Sequence, residues 1–378
     1  MRFAHLSDLH IGKRVNGFSM IEDQKYILSQ IINIIKEEQV EAVLLAGDIY
    51  DKVIPSAEAV QLLNDFLINL SEYQIPIFII SGNHDSPERL AFGATFLKNS
   101  NIYISEVYGG LIEPITLEDD YGEIQVYLMP FLKPAMVRHA LNREDIKTYQ
   151  EAVQAAIDQL QLDKTKRNVA LSHQFVIGAT RSDSEEISVG GLDQIAHSVF
   201  DGFDYIALGH IHGPQYIGKE TIRYCGTPLK YSFSEASHIK SLTIVDIKEK
   251  GTVAVRAIPL KPLRDMRKIR GMFHEITDPN YYKAENREDY IQVTLLDEEE
   301  VMNGLERLRS IYPNIMRLEY DNKRTRERRE ILGEADIEQK TEFELFEEFY
   351  QYQNNQNMSE EQKEIVSSMI EKIREEEE

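Results

Sequence analysis

The chain has 378 residues, 42% hydrophobic and 28% charged, a length that supports two or three domains around a sizeable core. No apolar run approaches the ~20 residues of a membrane helix. The single cysteine, Cys225, rules out an intrachain disulfide and reads as a small buried residue in a reducing compartment. The net charge of −22 speaks against a nucleic-acid partner, yet residues 334–378 hold 15 acidic and 4 basic side chains, half of that total. A local basic groove elsewhere stays open.

In chain order, the first 260 residues alternate between two periods. Apolar runs at 2–8, 41–47, 76–81, 124–130, 168–174 and 203–210 suit strands covered on both faces. The first begins at Arg2, leaving no room for a secretory leader, so a cytoplasmic, nucleoid-associated protein is expected. Helical spacing over 20–39 and 56–74 falls between the first three runs, with Ser56 placed as an N-cap. Strands alternating with helices predict an α/β layered domain, with one sheet or two left open by periodicity. After residue 213 the strands are joined by short turns, and Lys248–Gly251 reads as a hairpin turn. Residues 261–322 predict a small α+β unit. Residues 323–340, with KRTRERR at 323–329, read as a charged, solvated linker. Two amphipathic helices follow in 341–378, opened by capping-box pairs Thr341/Glu344 and Ser359/Gln362. Their apolar faces are Phe343, Phe346, Phe349 and Tyr350, then Ile365, Val366, Met369, Ile370 and Ile373. A tail without a core of its own predicts docking onto a partner's groove.

The chemistry lies in the polar groups that end the strands. Asp8 and His10 follow the first, Asp48 the second, Asn83 and His84 the third, His173 the fifth, and His210 and His212 the sixth. In an open α/β sheet the carboxyl ends of parallel strands face a common crevice. Residues two apart in an extended segment point to one side, so Asp8/His10 and His210/His212 can each chelate from one direction. A lone histidine after a strand is usually structural. The ordered set D-x-H, G-D, G-N-H-D, H and G-H-x-H predicts a metal site. Cations ~3.5–4 Å apart clamp a phosphodiester. Mixed oxygen and nitrogen ligands favour manganese, iron or zinc over magnesium.

These motifs resemble the calcineurin-like metallophosphoesterases. MRFAHLSDLHIGK, GDIYDKVIPSAEAV, GNHDSPERL and YCGTPLKYSFSEASHIKS are similar to the nuclease-subunit family of bacterial SbcCD complexes, relatives of the double-strand-break repair nucleases. The resemblance is strong over residues 1–260. It implies a β-sandwich flanked by helices, with residues 1–260 as the nuclease domain, 261–322 as a DNA-contacting cap and 341–378 as the partner-binding region. It implies two divalent ions, manganese in kind. Asp8, His10 and His212 would hold one; Asn83, His173 and His210 the other; Asp48 would bridge. His84 would act on the scissile phosphate, oriented by Asp51 or Asp85. Some relatives carry a histidine at the position of Asp51, which leaves the role of Asp51 open.

The resemblance further implies a 3′–5′ double-strand exonuclease and hairpin endonuclease in DNA repair, recombination and replication. Its partner would be an SbcC-type coiled-coil ATPase. It also implies a homodimer, with Leu62, Leu63, Phe66, Leu67, Leu90 and Phe92 as candidate contacts. Lys13, Arg14, Lys52, Arg89, Arg181 and Lys230 sit in or near motif loops and are candidate DNA-backbone contacts. No base-reading motif is visible. Two other classes fit the motifs. One is a phosphodiesterase or phosphatase acting on small esters or phosphoproteins, which would need neither cap nor docking helices. The other is a non-catalytic DNA-end tether, which would have no use for His84.

Overall fold

The computed structural model describes residues 1–185, 194–283, 285–323, 325–326, 342–354, 357–359, 362–363, 365–367 and 369–370. Its main strands are β1 (Arg2–Leu6), β2 (Ala42–Ala46), β3 (Ile77–Ile80), β4 (Ile102–Ile104), β5 (Ile115–Asp119), β6 (Gly122–Leu128), β7 (Arg167–His173), β8 (Tyr205–Gly209), β9 (Gln215–Ile217), β10 (Lys219–Tyr224), β11 (Ser241–Ile247) and β12 (Val253–Pro259). The cap contributes β13 (Met266–Gly271), β14 (Tyr290–Leu295) and β15 (Ile315–Tyr320). Helices are α1 (Ile21–Glu37), α2 (Ala57–Ser71), α3 (Pro134–Leu141), α4 (Tyr149–Asp158), α5 (Gly304–Arg309) and α6 (Glu342–Asn354).

The question left open by periodicity is answered by a sandwich of two six-stranded sheets, ordered β12-β11-β1-β2-β3-β4 and β9-β10-β8-β7-β6-β5. Each has a parallel centre. β1, β2, β3 and β4 run parallel in the first sheet, and β6, β7, β8 and β10 in the second. Antiparallel strands close the other edges, with β4 left as a parallel edge. The near-continuous apolar runs follow from burial on both faces. Phe3, Leu44, Phe78, Val126, Leu171 and Tyr205 fill the space between the sheets. α1 and α2 cover the outer face of the first sheet, and α3 and α4 that of the second. Ser56 caps α2, its hydroxyl accepting the N–H of Ala59 at 3.2 Å. β11 and β12 form the expected hairpin over residues 248–251.

α3 and α4 lie where the sequence reading placed no helix. They supply the crossover that the parallel pair β6 and β7 requires. The cap has its own core around Ile269, Val293 and Tyr312. Its three strands are all parallel, with α5 crossing between β14 and β15. Arg264 and Tyr290 anchor it to α1 through Asp23, at 2.8 and 2.7 Å. Of the charged linker, Lys323, Thr325 and Arg326 are described.

α6 forms as expected, and described residues within 362–370 are helical. The two segments touch: Gln362 Nε2 donates to Tyr350 Oη at 3.0 Å and Lys363 pairs with Glu347 at 2.9 Å. Phe346, Phe349, Ile365 and Met369 are exposed, whereas Phe343, Tyr350, Val366 and Ile370 are half-buried. Thr341 and Ile373 lie outside the described residues. No described helix is long and apolar enough to cross a membrane.

Candidate metal centre

The carboxyl ends of β1, β2 and β3 in one sheet meet those of β7 and β8 in the other. Backbone hydrogen bonds lock the first two ends together, Asp8 N to Gly47 O at 2.9 Å and His10 N to Asp48 O at 3.0 Å. Asp8, His10, Asp48 and His210 all have positive φ, at 52°, 44°, 49° and 99°. A non-glycine residue in that region is strained, and such strain collects at functional sites. Two glycines give the room this requires. A Cβ on Gly47 (φ +89°) would strike the His173 imidazole, and one on Gly82 would strike the Asp48 carboxylate.

Every ligand candidate read from the sequence arrives at this place. Asp8, His10 and His212 present ligand atoms within 4.8 Å of one another, as do Asp8, Asp48 and His173. His10 Nε2 lies 3.2 Å from His212 Nε2. His173 Nε2 lies 3.2 Å from Asp48 Oδ2 and 3.1 Å from Asn83 Oδ1. Asn83 Oδ1 is 3.0 Å from His210 Nδ1. Asp48 therefore reaches both halves of the cluster.

The donor chemistry fits cations. His173 Nδ1 faces the Ala46 carbonyl at 2.8 Å, and a carbonyl only accepts, so that nitrogen carries the proton. In the neutral ring Nε2 is then a lone pair aimed at two oxygen acceptors. Acceptors facing acceptors need a positive charge among them. His10 Nδ1 and His210 Nε2 are buried without a hydrogen-bond partner. With no cation bound, that demand for positive charge falls on the His173 ring itself. Burial would lower the His173 imidazole, but the adjacent Asp48 carboxylate outweighs it and lifts it to about 9. Burial pushes Asp8 up to about 7, with the Asp48 charge adding to the rise. Asp48, despite its burial, is held well below the carboxylate range by His173. Burial lowers His10 well below its ordinary value and His210 to about 3.

His84 stands at the edge of this cluster. It is half-buried, its ring edge-on to His10 with centroids 4.8 Å apart. Its Nε2 is 4.0 Å from Asp48 Oδ2, and geometry alone places His84 with His10 and Asp48 among possible ligand groups. Of the two residues expected to orient it, Asp51 meets the imidazole through its main chain. His84 Nδ1 lies 3.3 Å from the Asp51 backbone carbonyl. The Asp51 carboxylate instead binds Lys13 at 2.7 Å. The Asp85 carboxylate accepts the N–H groups of Ile49, Tyr50 and Gly82, at 3.0, 2.9 and 2.9 Å, and so ties two strand ends together.

A family model for calcineurin-like phosphoesterases matches residues 1–214. Over 377 residues the chain is 32% identical to the SbcD subunit of the SbcCD nuclease of Staphylococcus epidermidis, across 98% of each protein. The chain belongs to the SbcD branch of the calcineurin-like phosphoesterases. A second model, for the type 5 capsule protein repressor C-terminal domain, matches residues 262–354. Among solved structures, a dimetal phosphatase from Danio rerio is 12% identical, with a TM-score of 0.42, over 70% of this chain and 98% of its own. A Thermus thermophilus protein, TT1561, is 13% identical, with a TM-score of 0.39, over 68% and 98%.

The basic candidates of this SbcD-type phosphoesterase separate by position. Lys13 lies at the site through Asp51, and Arg181 stacks on Phe175 at 3.7 Å, with its charge felt by His210. Arg14, Lys52 and Arg89 are exposed. Arg89 lines the apolar groove beside α2. Lys230 is engaged by Asp265 at 2.9 Å and the Ala236 carbonyl at 2.7 Å. The sequence reading missed the groups behind the ligand candidates. Gln24 Nε2 donates to the His10 carbonyl at 2.8 Å, and Tyr231 Oη to that of Leu9 at 2.6 Å. Ser184, Glu235 and Lys240 surround His212. The sequence signal of Glu235 and Lys240 is the SFSEASHIK segment, legible as a motif but not residue by residue, and Ser184 lies outside it.

Proposed function

We propose that this chain is a two-metal DNA nuclease. The observation that carries the reading is the convergence of seven nitrogen and oxygen ligand candidates from five strand ends, with a half-buried histidine beside them. Asp8, His10 and His212 would hold one ion, Asn83, His173 and His210 the second, and Asp48 would be shared. When bound, the two ions would polarise the phosphodiester, acidify a water and neutralise developing charge. The mixed shell fits manganese, iron or zinc, and the family resemblance favours manganese among them. His84 works on the leaving side. The Asp51 carbonyl fixes the proton on its Nδ1, so Nε2 is the atom that hydrogen-bonds a phosphate oxygen or protonates the leaving oxygen.

DNA as the substrate rests on the Staphylococcus relative, named as a nuclease subunit of SbcCD. The activity would be 3′–5′ on double-stranded ends and endonucleolytic on hairpins. Backbone contact by Lys13 and Arg181 near the ions, with Arg14 and Lys52 outside, would be independent of sequence. Residues 1–260 would carry the chemistry and 261–322 would cap the DNA. The helices of 341–378 would dock an SbcC-type coiled-coil ATPase through Phe346, Phe349, Ile365 and Met369. In the proposed homodimer, Phe92 alone of the expected contacts is exposed. Leu62, Leu63, Phe66 and Leu90 are buried in the chain's own core and Leu67 is half-buried. Val60, Ile68 and Phe92 are the exposed apolar groups there, Phe92 at 86%.

The test is cleavage of an end-labelled hairpin DNA in manganese, with and without the ATPase partner, using Asp48→Ala as control. Cleavage by the wild type that Asp48→Ala abolishes is the expected result. Hydrolysis of a chromogenic phosphodiester with no DNA cleavage under any of these conditions would overturn the DNA assignment.

A further inference from the structure

Behind His212 lies a buried polar network that neither the ligand set nor the proposed chemistry uses. Glu235 is 0% exposed and Lys240 is 5% exposed, and they form a buried ion pair. Charges so deeply buried are costly unless paired and further hydrogen-bonded, and further bonds tie this pair to Thr227, Tyr231 and His212. Lys240 Nζ donates to the His212 backbone carbonyl at 2.8 Å and to Thr227 Oγ1 at 2.6 Å. Glu185 accepts the His212 backbone N–H at 2.6 Å. Ser184 Oγ donates to Glu235 Oε1 and lies 2.7 Å from His212 Nδ1.

The direction of this relay follows from the donor inventory. Ionised Glu235 only accepts, so the Ser184 hydroxyl proton points at it. Ser184 Oγ then accepts from His212, which puts the imidazole proton on Nδ1. Nε2 is left as a lone pair facing His10 Nε2 at 3.2 Å. The contrast with His10 is informative. His10 Nδ1 has no hydrogen-bond partner; the Asp51 carboxylate lies 3.7 Å away with no hydroxyl bridging the gap.

We infer that Ser184, Glu235 and Lys240 are positioning residues that fix the tautomer and ring orientation of His212 for a divalent cation. The inference rests on the metal-centre reading above. Outer groups that orient a ligating histidine typically change metal affinity by about 10–100-fold when removed. Ser184 is half-buried and lies in the segment 181–184, which the Asp183 N–H to Ser234 Oγ bond at 3.0 Å ties to residues 232–237. Whatever moves that segment would therefore alter the metal centre.

Two readouts test this without relying on nuclease activity. In the metal-free chain labelled with 15N-histidine, two-bond proton–nitrogen spectra report the tautomer of His212. Nδ1–H is expected in the wild type, with Nε2–H appearing in Ser184→Ala. Manganese titration by calorimetry should show one of two binding events weakened by roughly 10–100-fold in Ser184→Ala, and restored in Ser184→Thr. Glu235→Gln should weaken the same event, and Ser184→Ala keeps the test open if that buried variant fails to fold. An Nε2–H tautomer in the wild type would overturn the inference, as would unchanged manganese affinity in Ser184→Ala. Absence of manganese binding in the wild type, with the Nδ1–H tautomer still seen, would overturn the metal-centre reading while leaving the relay in place.

Discussion

His84 differs from its neighbours in exposure. Its side chain is 19% exposed, against 1% for His10 and 0% for His173. A ligand closed off by protein suits the latter two; a group that meets substrate needs an open face. His84→Ala should therefore lower DNA cleavage by roughly 100-fold or more while manganese stoichiometry stays at the wild-type value. Lost manganese in that variant would make His84 a ligand and sink the role given to it. The candidate ligand residues, which the structure brings together, were legible because D-x-H, G-N-H-D and G-H-x-H place chelating side chains at strand ends. Asp51 was also legible beside His84, but its action through the backbone carbonyl was not, because side-chain patterns carry no signal for a backbone acceptor.

At the scale of elements, the sandwich is held at one end by Arg167 at the start of β7, 2% exposed. Its guanidinium binds Asp119 at the end of β5 and donates to the carbonyl of Lys248, in the β11–β12 turn, at 3.0 Å. Partial burial would raise the Asp119 carboxyl, but Arg167 and the Met1 ammonium, 2.6 Å away, together outweigh it and hold it well below the carboxylate range. The folded value lies below the unfolded one, so the stabilisation is complete above about pH 4 and fades as pH falls toward the folded value. Asp119→Asn should cost about 2–3 kcal/mol at pH 7, less than a fully sealed pair because the carboxylate is partly open to solvent. It should also flatten the acid limb of urea-denaturation stability below pH 4. An unchanged acid limb would show that Asp119 is not the group responsible. The strands of this region were read from their apolar runs. α3 and α4 were passed over, although Thr148 and Glu151 form a capping box at α4. The apolar positions of α4 are mostly alanine, at 152, 155 and 156, which weakens the helical stripe that periodicity detects.

For the whole molecule, the sandwich explains why one site needs residues from 8 to 212. Both sheets have parallel centres, so their carboxyl ends point the same way and bring five loops to one place. Periodicity could not choose between one sheet and two, since a strand covered by helices and a strand covered by a second sheet present the same apolar run. The acidic tail misleads in another way: half of the net charge lies in 334–378, so total charge says little about the surface near the site. The central claim is a centre for two ions with Asp48 between them, and the most direct measurement is anomalous diffraction from crystals soaked in manganese. Two peaks are expected, one against Asp8, His10 and His212 and one against Asn83, His173 and His210, both within reach of Asp48. A single peak, or none at full soaking concentration, would contradict the account.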